Sequence, residues 1–296
     1  MSRLLDIFAC QESPEQNRFD ARDVQAMQQL PPKARSEYLI AFTPRSGSSW
    51  LTSLLVDTRL AGRPEEWLNP NHLPDILKAH PCRDLTSYVR RIRRIMLSRK
   101  RRTFGIECSW FQWKLYLDAN QQRVLPFAFD HHIYWTRRDL LGQALSLYKA
   151  TETGFFHTVA DREQVAPSAV AFDDARLWNW LLHIYQQEYG WRRYFKRRNI
   201  VPLELCYEDL WSDTALTLTR LLSTIAPELP AETVIEAARM ARSRHGKMDD
   251  STTRDFKLAF QTRYHREIEF CIAHRGQLSE QDIRARLQIP VSARPG

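Results

Sequence analysis

Residues Thr43–Leu55 read TPRSGSSWLTSLL, and this stretch decides the fold. The residues before it, YLIAF (Tyr38–Phe42), form a short unbroken apolar run of the kind a buried strand carries. The residues after it place Trp50, Leu51, Leu54 and Leu55 on one helical face. The unit is therefore strand, loop, helix, and the loop holds one arginine, one glycine and three serines. Unpaired N–H groups at a helix start point at whatever lies in front of them. Gly47 lets a ligand approach the backbone, Ser46, Ser48 and Ser49 offer hydroxyls, and Arg45 offers a charge-assisted contact. The loop suits an anion.

Outward from the loop, strand candidates recur at Tyr38–Thr43, Thr103–Cys108 (TFGIEC), His132–Thr136 (HIYWT) and Ile200–Leu205 (IVPLEL). Pro202 marks the last of these as an edge strand or as partly irregular. Helical patterns lie at 47–60, 84–99, 139–151, 173–198 and 207–225, with Asp139 and Asp173 at N-cap positions. Strands alternating with helices predict an α/β fold whose central sheet is mostly parallel. Ligands of such sheets bind at the carboxyl ends of the strands, so residues 43–49 and the segment from Arg137 onward share one rim.

The 296-residue chain shows no Pro/Gly/Ser linker and is expected to form one domain, with residues 1–35 as a peripheral arm bearing a short helix around Arg22 to Leu30. Residues 152–170 read as a lid or an insertion. The formal charge of +8 favours anionic partners without choosing among them. No apolar stretch reaches membrane-span length. The N-terminus lacks a signal core, so a cytoplasmic location is expected. Cys10, Cys82, Cys108, Cys206 and Cys271 are scattered, which fits neither a disulfide framework nor a zinc site, and no metal is expected.

A Walker loop needs G-x-x-x-x-G-K-[ST], but Ser48 stands where its lysine would be, and the positive residue comes two places before the glycine. The order R-S-G-S-S-W after a strand instead resembles the sulfotransferases. In that family the loop cradles the 5′-phosphosulfate end of 3′-phosphoadenosine 5′-phosphosulfate (PAPS). A second segment, TRRDLLGQALSLYKA, resembles the family's 3′-phosphate signature, with Arg137 at the strand end and Ser146 on the following helix. The run from Tyr38 to Pro70 is similar to the bacterial carbohydrate sulfotransferases of the trehalose 2-sulfotransferase type, including Gly62-Arg63-Pro64-Glu65-Glu66-Trp67. GWRRYFKRRNIVPLELCYEDL (Gly190–Leu210) and, more weakly, FQTRYHR (Phe260–Arg266) extend the likeness.

The resemblance implies a P-loop-like sulfotransferase fold and PAPS as sulfonyl donor. Arg45, Ser46, Gly47, Ser48, Ser49, Trp50, Arg137 and Ser146 would bind the nucleotide. Glu66 would act as the general base that a sugar hydroxyl requires, with Arg45 stabilising charge on the transferred group. Arg63, Glu65 and Trp67 fall in the expected acceptor region, and Arg254 is a candidate to close over the nucleotide. The resemblance also implies a homodimer and a carbohydrate or glycolipid acceptor. Residues 267–296 read as a C-terminal extension.

Three positions depart from the family pattern: Pro44, Arg63 and Glu107, the last where a lysine is expected. Arg63 suits an anionic group on the acceptor. Lys78 and His80 in ILKAHP (Ile76–Pro81) mimic the histidine element of sulfotransferases that act on small alcohols, which makes His80 a competing base. RRIRRIMLSRKRR (Arg90–Arg102) reads as a basic amphipathic helix whose apolar face is Val89, Ile92, Ile95 and Met96. It is a solvated face or a contact for an anionic membrane or glycan. Two rival readings are a nucleotide-dependent phosphotransferase and a basic nucleic-acid or membrane-binding module; under the leading reading no nucleic-acid partner is expected.

Overall fold

The computed structural model describes residues 7–8, 25, 33–97, 103–119, 127–154, 170–243 and 251–290. All but residue 25 of the expected helix at 22–30, most of the 152–170 segment and the basic residues at 99–102 lie outside these.

Among the described residues, four strands form one parallel sheet in the order β2-β1-β3-β4. Strand β1 (Ser36–Phe42) is central and buried along its whole length, which explains its unbroken apolar run. It pairs with β2 (Thr103–Ser109) on one side and β3 (His131–Thr136) on the other. The edge strand β4 (Leu203–Cys206) starts later than the sequence suggests. Pro202 has no N–H to donate, so the ladder begins only beyond it.

Alternation along β1 sends Tyr38, Ile40 and Phe42 to one core and Leu39 and Ala41 to the other. The first core packs under α1 (Ser48–Thr58) and the later α8 (Thr214–Ile225) and α9 (Ala231–Met240). The second packs under α3 (Leu85–Leu97) and α4 (Trp110–Ala119), where Trp113, Trp191 and Phe195 are buried. Between α1 and α3 lies the short α2 (Leu73–Ala79). On α3, Val89, Ile92 and Met96 are buried while Arg90 is exposed; Arg93 pairs with Glu37 and lies 5.4 Å over Phe104. The apolar face of this basic helix is therefore core.

Helix α5 (Leu140–Thr153) is capped by Asp139, which accepts from the Gly142 N–H at 2.9 Å, and α6 (Asp174–Arg198) is capped by Asp173. The segment 207–225, expected as one helix, is two: α7 (Tyr207–Ser212) and α8. Asp213 breaks it, standing in extended backbone and accepting from the Leu216 N–H at 2.9 Å, so an N-cap replaces a helix interior. A third core joins α5 and α6 to the C-terminal helices α10 (Ser251–Arg263), α11 (His265–Ala273) and α12 (Glu280–Arg286) through Phe260, Ile268, Cys271 and Ile283. No helix among the described residues is long and apolar enough to cross a membrane.

Candidate active site

The loop from Thr43 to Gly47 leaves β1 at its carboxyl end. Arg45 takes φ +63° and Gly47 φ +84°, both left-handed, and the Ser46 N–H between them donates back to the Thr43 carbonyl at 3.3 Å. A left-handed non-glycine residue is costly and persists only when held from outside. Here Gln143 of α5 donates to Thr43 Oγ1 at 2.8 Å and to the Pro44 carbonyl at 2.7 Å. Arg137 Nη1 donates to the Arg45 carbonyl at 3.4 Å, and Trp135 Nε1 to that of Ser46 at 2.9 Å. A side chain on Gly47 would meet the Tyr207 ring, with Cε2 2.9 Å away. Tyr207 thus forms one wall of the loop.

The two motifs read separately in the sequence meet directly: Arg45 Nε donates to Ser146 Oγ at 3.0 Å. The guanidinium of Arg137 lies 5.1 Å over the Tyr207 ring, and its nearest carboxylate is Asp139 at 3.8 Å. Burial and the neighbouring Arg137 charge both lower the pKa of Arg45, so two cations crowd one place. Such crowding stabilises a bound polyanion. Helix α1 has no side-chain cap and no acid in its first turn. Ser46 Oγ and Arg137 Nε, two donors shielded from solvent, make no hydrogen bond within the protein. Buried orphan donors beside an uncapped helix start are the arrangement an anionic ligand completes.

Beside the loop, Trp50 packs edge-on against Tyr207 and Trp211, with centroids 5.7 Å apart in each pair. It also lines a groove of about 290 Å³ with Leu54, Ala238 and Ser243. The far wall is tied to α1 by Ser53 to Ser243, 2.8 Å, and by the Arg242 N–H to Asp57, 2.8 Å. Trp50 is thus partly buried against the first core while lining this groove.

Glu66 and Glu65 separate clearly. Glu65 accepts from Arg63 at 2.6 and 3.0 Å, an exposed pair, and its carbonyl takes the Glu107 N–H at 3.2 Å. Glu66 turns to the carboxyl end of β2, where one oxygen takes Gln112 Nε2 at 2.5 Å and Asn69 Nδ2 at 2.9 Å. Gln112 in turn accepts the Ser109 N–H at 2.9 Å, so Glu66 is moored to the strand end next to β1. The Trp67 indole donates to the Arg63 carbonyl at 3.2 Å, and its own carbonyl takes Tyr88 OH at 2.6 Å.

Behind Glu66 stands Glu107, 4% exposed. Burial, then the charges of Glu66 and Glu65, push its carboxyl well above the ordinary range, against a lowering hydrogen bond from Thr52. Thr52 Oγ1 donates to Glu107 Oε2 at 2.9 Å and has the Pro64 carbonyl at 3.3 Å.

His80 follows α2, where burial and then the charge of Arg91 on α3 lower its pKa. Arg254 is exposed on α10, and it is Lys257, a turn later, that reaches Asp139 at 2.7 Å. Sequence reasoning also missed Tyr207, Glu208 and Gln143 as parts of the rim. Glu208 accepts the N–H groups of Arg138 at 2.9 Å and Asp139 at 3.2 Å, bracing the turn that carries Arg137. The only local signal for Tyr207 and Glu208 was their place just after a strand. Among the described residues no group of three or more His, Cys, Asp or Glu is arranged to hold a metal.

The Stf0 sulphotransferase family model matches residues 118–257, which include Arg137, Ser146, Tyr207 and Lys257. The trehalose 2-sulfotransferase of Mycobacterium tuberculosis (strain ATCC 35801 / TMC 107 / Erdman) is 25% identical over 109 residues, 36% of this chain. The match spans 40% of that relative's length. Among solved structures, a mouse sulfotransferase complexed with PAP is similar over 90% of this chain and 94% of its own, at TM-score 0.46 and 12% identity. Retinol dehydratase in complex with androsterone and inactive cofactor PAP is similar over 83% of this chain and 84% of its own, at TM-score 0.44 and 11% identity. By the family model and the sequence relative, this chain is similar to the Stf0 sulphotransferases over residues 118–257.

Proposed function

We propose that this protein transfers a sulfonyl group from PAPS to a hydroxyl of a carbohydrate or glycolipid. The observation that carries the reading is the junction of Arg45, Ser146 and Arg137, where two cations and two orphan donors converge on an uncapped helix start. The residues fit the donor's charges. Residues 45–49 would hold its 5′ end, Arg137 and Ser146 its 3′-phosphate, and the groove beside Trp50 offers an aromatic wall for a purine. The bound donor supplies an activated sulfonyl group with a phosphate leaving group.

The chain's own residues supply position, charge and a proton acceptor. Arg45 and the loop N–H groups place positive potential where negative charge gathers during transfer. Glu66 is the proposed base. One of its oxygens is held by Gln112 and Asn69, which leaves the other to accept the acceptor hydroxyl's proton. Neutral Glu107 behind it adds no second negative charge. Glu65 is engaged by Arg63, so an anionic group on the acceptor would have to compete with Glu65 for that guanidinium.

The test is calorimetric titration with 3′-phosphoadenosine 5′-phosphate and 5′-AMP. The bisphosphate should bind more tightly, and Arg137→Ala should remove most of the difference. One charge-assisted contact contributes about 1.5–3 kcal/mol, or roughly 10–150-fold in Kd. Failure of both nucleotides to bind the folded protein would overturn the reading. Given binding, Glu66→Gln should abolish transfer to sugar acceptors without changing nucleotide affinity, while His80→Ala should keep both.

A further inference from the structure

Arg275 follows α11 and comes from the C-terminal segment, far in sequence from the anion loop. Its backbone is pinned there: Tyr185 OH donates to the His274 carbonyl at 2.5 Å, and Gly276 makes a left-handed turn at φ +73°. The guanidinium binds Glu188 of α6 through Nε and Nη2, at 2.5 Å each. The Glu188 side chain is 2% exposed. The same fork then donates from Nη2 to the Arg137 carbonyl at 2.6 Å and from Nη1 to the Arg138 carbonyl at 3.1 Å. A planar guanidinium can serve a carboxylate and two successive carbonyls at once; an ammonium cannot.

These contacts converge on one turn. The carbonyls of Arg137 and Arg138 are taken by Arg275, while the N–H groups of Arg138 and Asp139 are taken by Glu208. Lys257 of α10 holds the Asp139 side chain. With its backbone fixed on both sides, Arg137 has little freedom except in its own side chain, which lies over Tyr207 and reaches the loop.

We infer that Arg275, anchored by Glu188, is a positioning residue for recognition of the nucleotide 3′-phosphate. It sets where Arg137 stands and makes the C-terminal helices part of the donor site. The inference rests on the nucleotide reading above. It excludes a purely structural role for the pair, and that difference is measurable.

The experiment titrates the full-length protein with 3′-phosphoadenosine 5′-phosphate and with 5′-AMP, alongside thermal unfolding. The variants are Arg275→Lys, Arg275→Met and the double variant Glu188→Met/Arg275→Met. Removing one partner strands a buried charge, whereas replacing both with apolar residues of similar length often restores stability. The expected result is a loss of about tenfold in bisphosphate affinity in all three, with AMP affinity changed less than about threefold. Tm should fall in Arg275→Met and recover in the double variant, while the bisphosphate preference stays lost. A double variant that regains the wild-type preference, or a folded Arg275→Lys that keeps it, would overturn the inference. Wild-type protein that binds both nucleotides equally would instead overturn the 3′-phosphate reading, and this inference with it.

Discussion

Gly47→Ala probes the loop at its tightest point. The residue sits at φ +84°, where a β-carbon costs roughly 1–2 kcal/mol. The new carbon would also lie 2.9 Å from Tyr207 Cε2 and closer still to its neighbour in the ring, so the ring has to give way. Overpacking of this kind costs about 1–3 kcal/mol. The two effects together come to about 2–5 kcal/mol, which for a domain of this size lowers Tm by roughly 3–8 °C. Function should suffer separately. The Tyr207 ring carries the Arg137 guanidinium at 5.1 Å, so moving the ring displaces the cation assigned to the 3′-phosphate. Below the unfolding range, bisphosphate affinity should fall by about tenfold or more. Calorimetry at low temperature and differential scanning of the same samples separate the two losses. Adding Tyr207→Ala should recover part of the stability, because it removes the clash, but none of the binding. An alanine variant with wild-type Tm and wild-type binding would refute the claim that the left-handed glycine and the Tyr207 wall set the site.

Glu107→Gln should alter the pH dependence of stability. The folded protein holds this carboxyl neutral while the unfolded chain ionises it in the ordinary range, so folding takes up a proton. Its contribution is complete below the ordinary carboxylate range and is lost as pH rises through the raised folded value. The glutamine variant should therefore be more stable than wild type at neutral pH and converge with it near pH 4; equal unfolding midpoints at neutral pH would count against a neutral Glu107. Gly190→Ala places a β-carbon 2.5 Å from Trp110 Cδ1 between α4 and α6, and should cost about 1–3 kcal/mol by denaturant unfolding. Trp110→Leu should relieve part of that cost. Arg63→Ala breaks an exposed pair with Glu65 and should change stability by less than about 1 kcal/mol. A loss well above that would place Arg63 in the scaffold rather than at the surface.

Much of the site was legible because its signals are local. β1 announces itself as an unbroken apolar run, the loop by its glycine and serines, and α5 and α6 by the Asp139 and Asp173 caps. Each depends on neighbours within a few residues. The errors have equally plain causes. Asp213 was read as part of a continuous helix because the apolar period runs through it, although its side chain serves better as a cap. The start of β4 was placed before Pro202 because apolar character was weighed over the missing N–H. The contact of Lys257 with Asp139 is illegible in the sequence because the spacing of cations on a helix does not reveal which one reaches a given carboxylate.

By itself, the sequence determined the parallel α/β architecture and the anion loop, for which short-range periodicity and capping suffice; the pairing of Arg137 with Ser146 is what the family resemblance implies. Only the tertiary structure decided that Arg45 bonds Ser146, that Glu66 and not Glu65 faces the end of β2, and that Tyr207 walls the loop. Only the tertiary structure brought Arg275 to the Arg137 turn. These contacts join residues tens to more than a hundred positions apart. They exist because the sheet order sets β1 between β2 and β3, and because a third core carries the C-terminal helices back onto the rim.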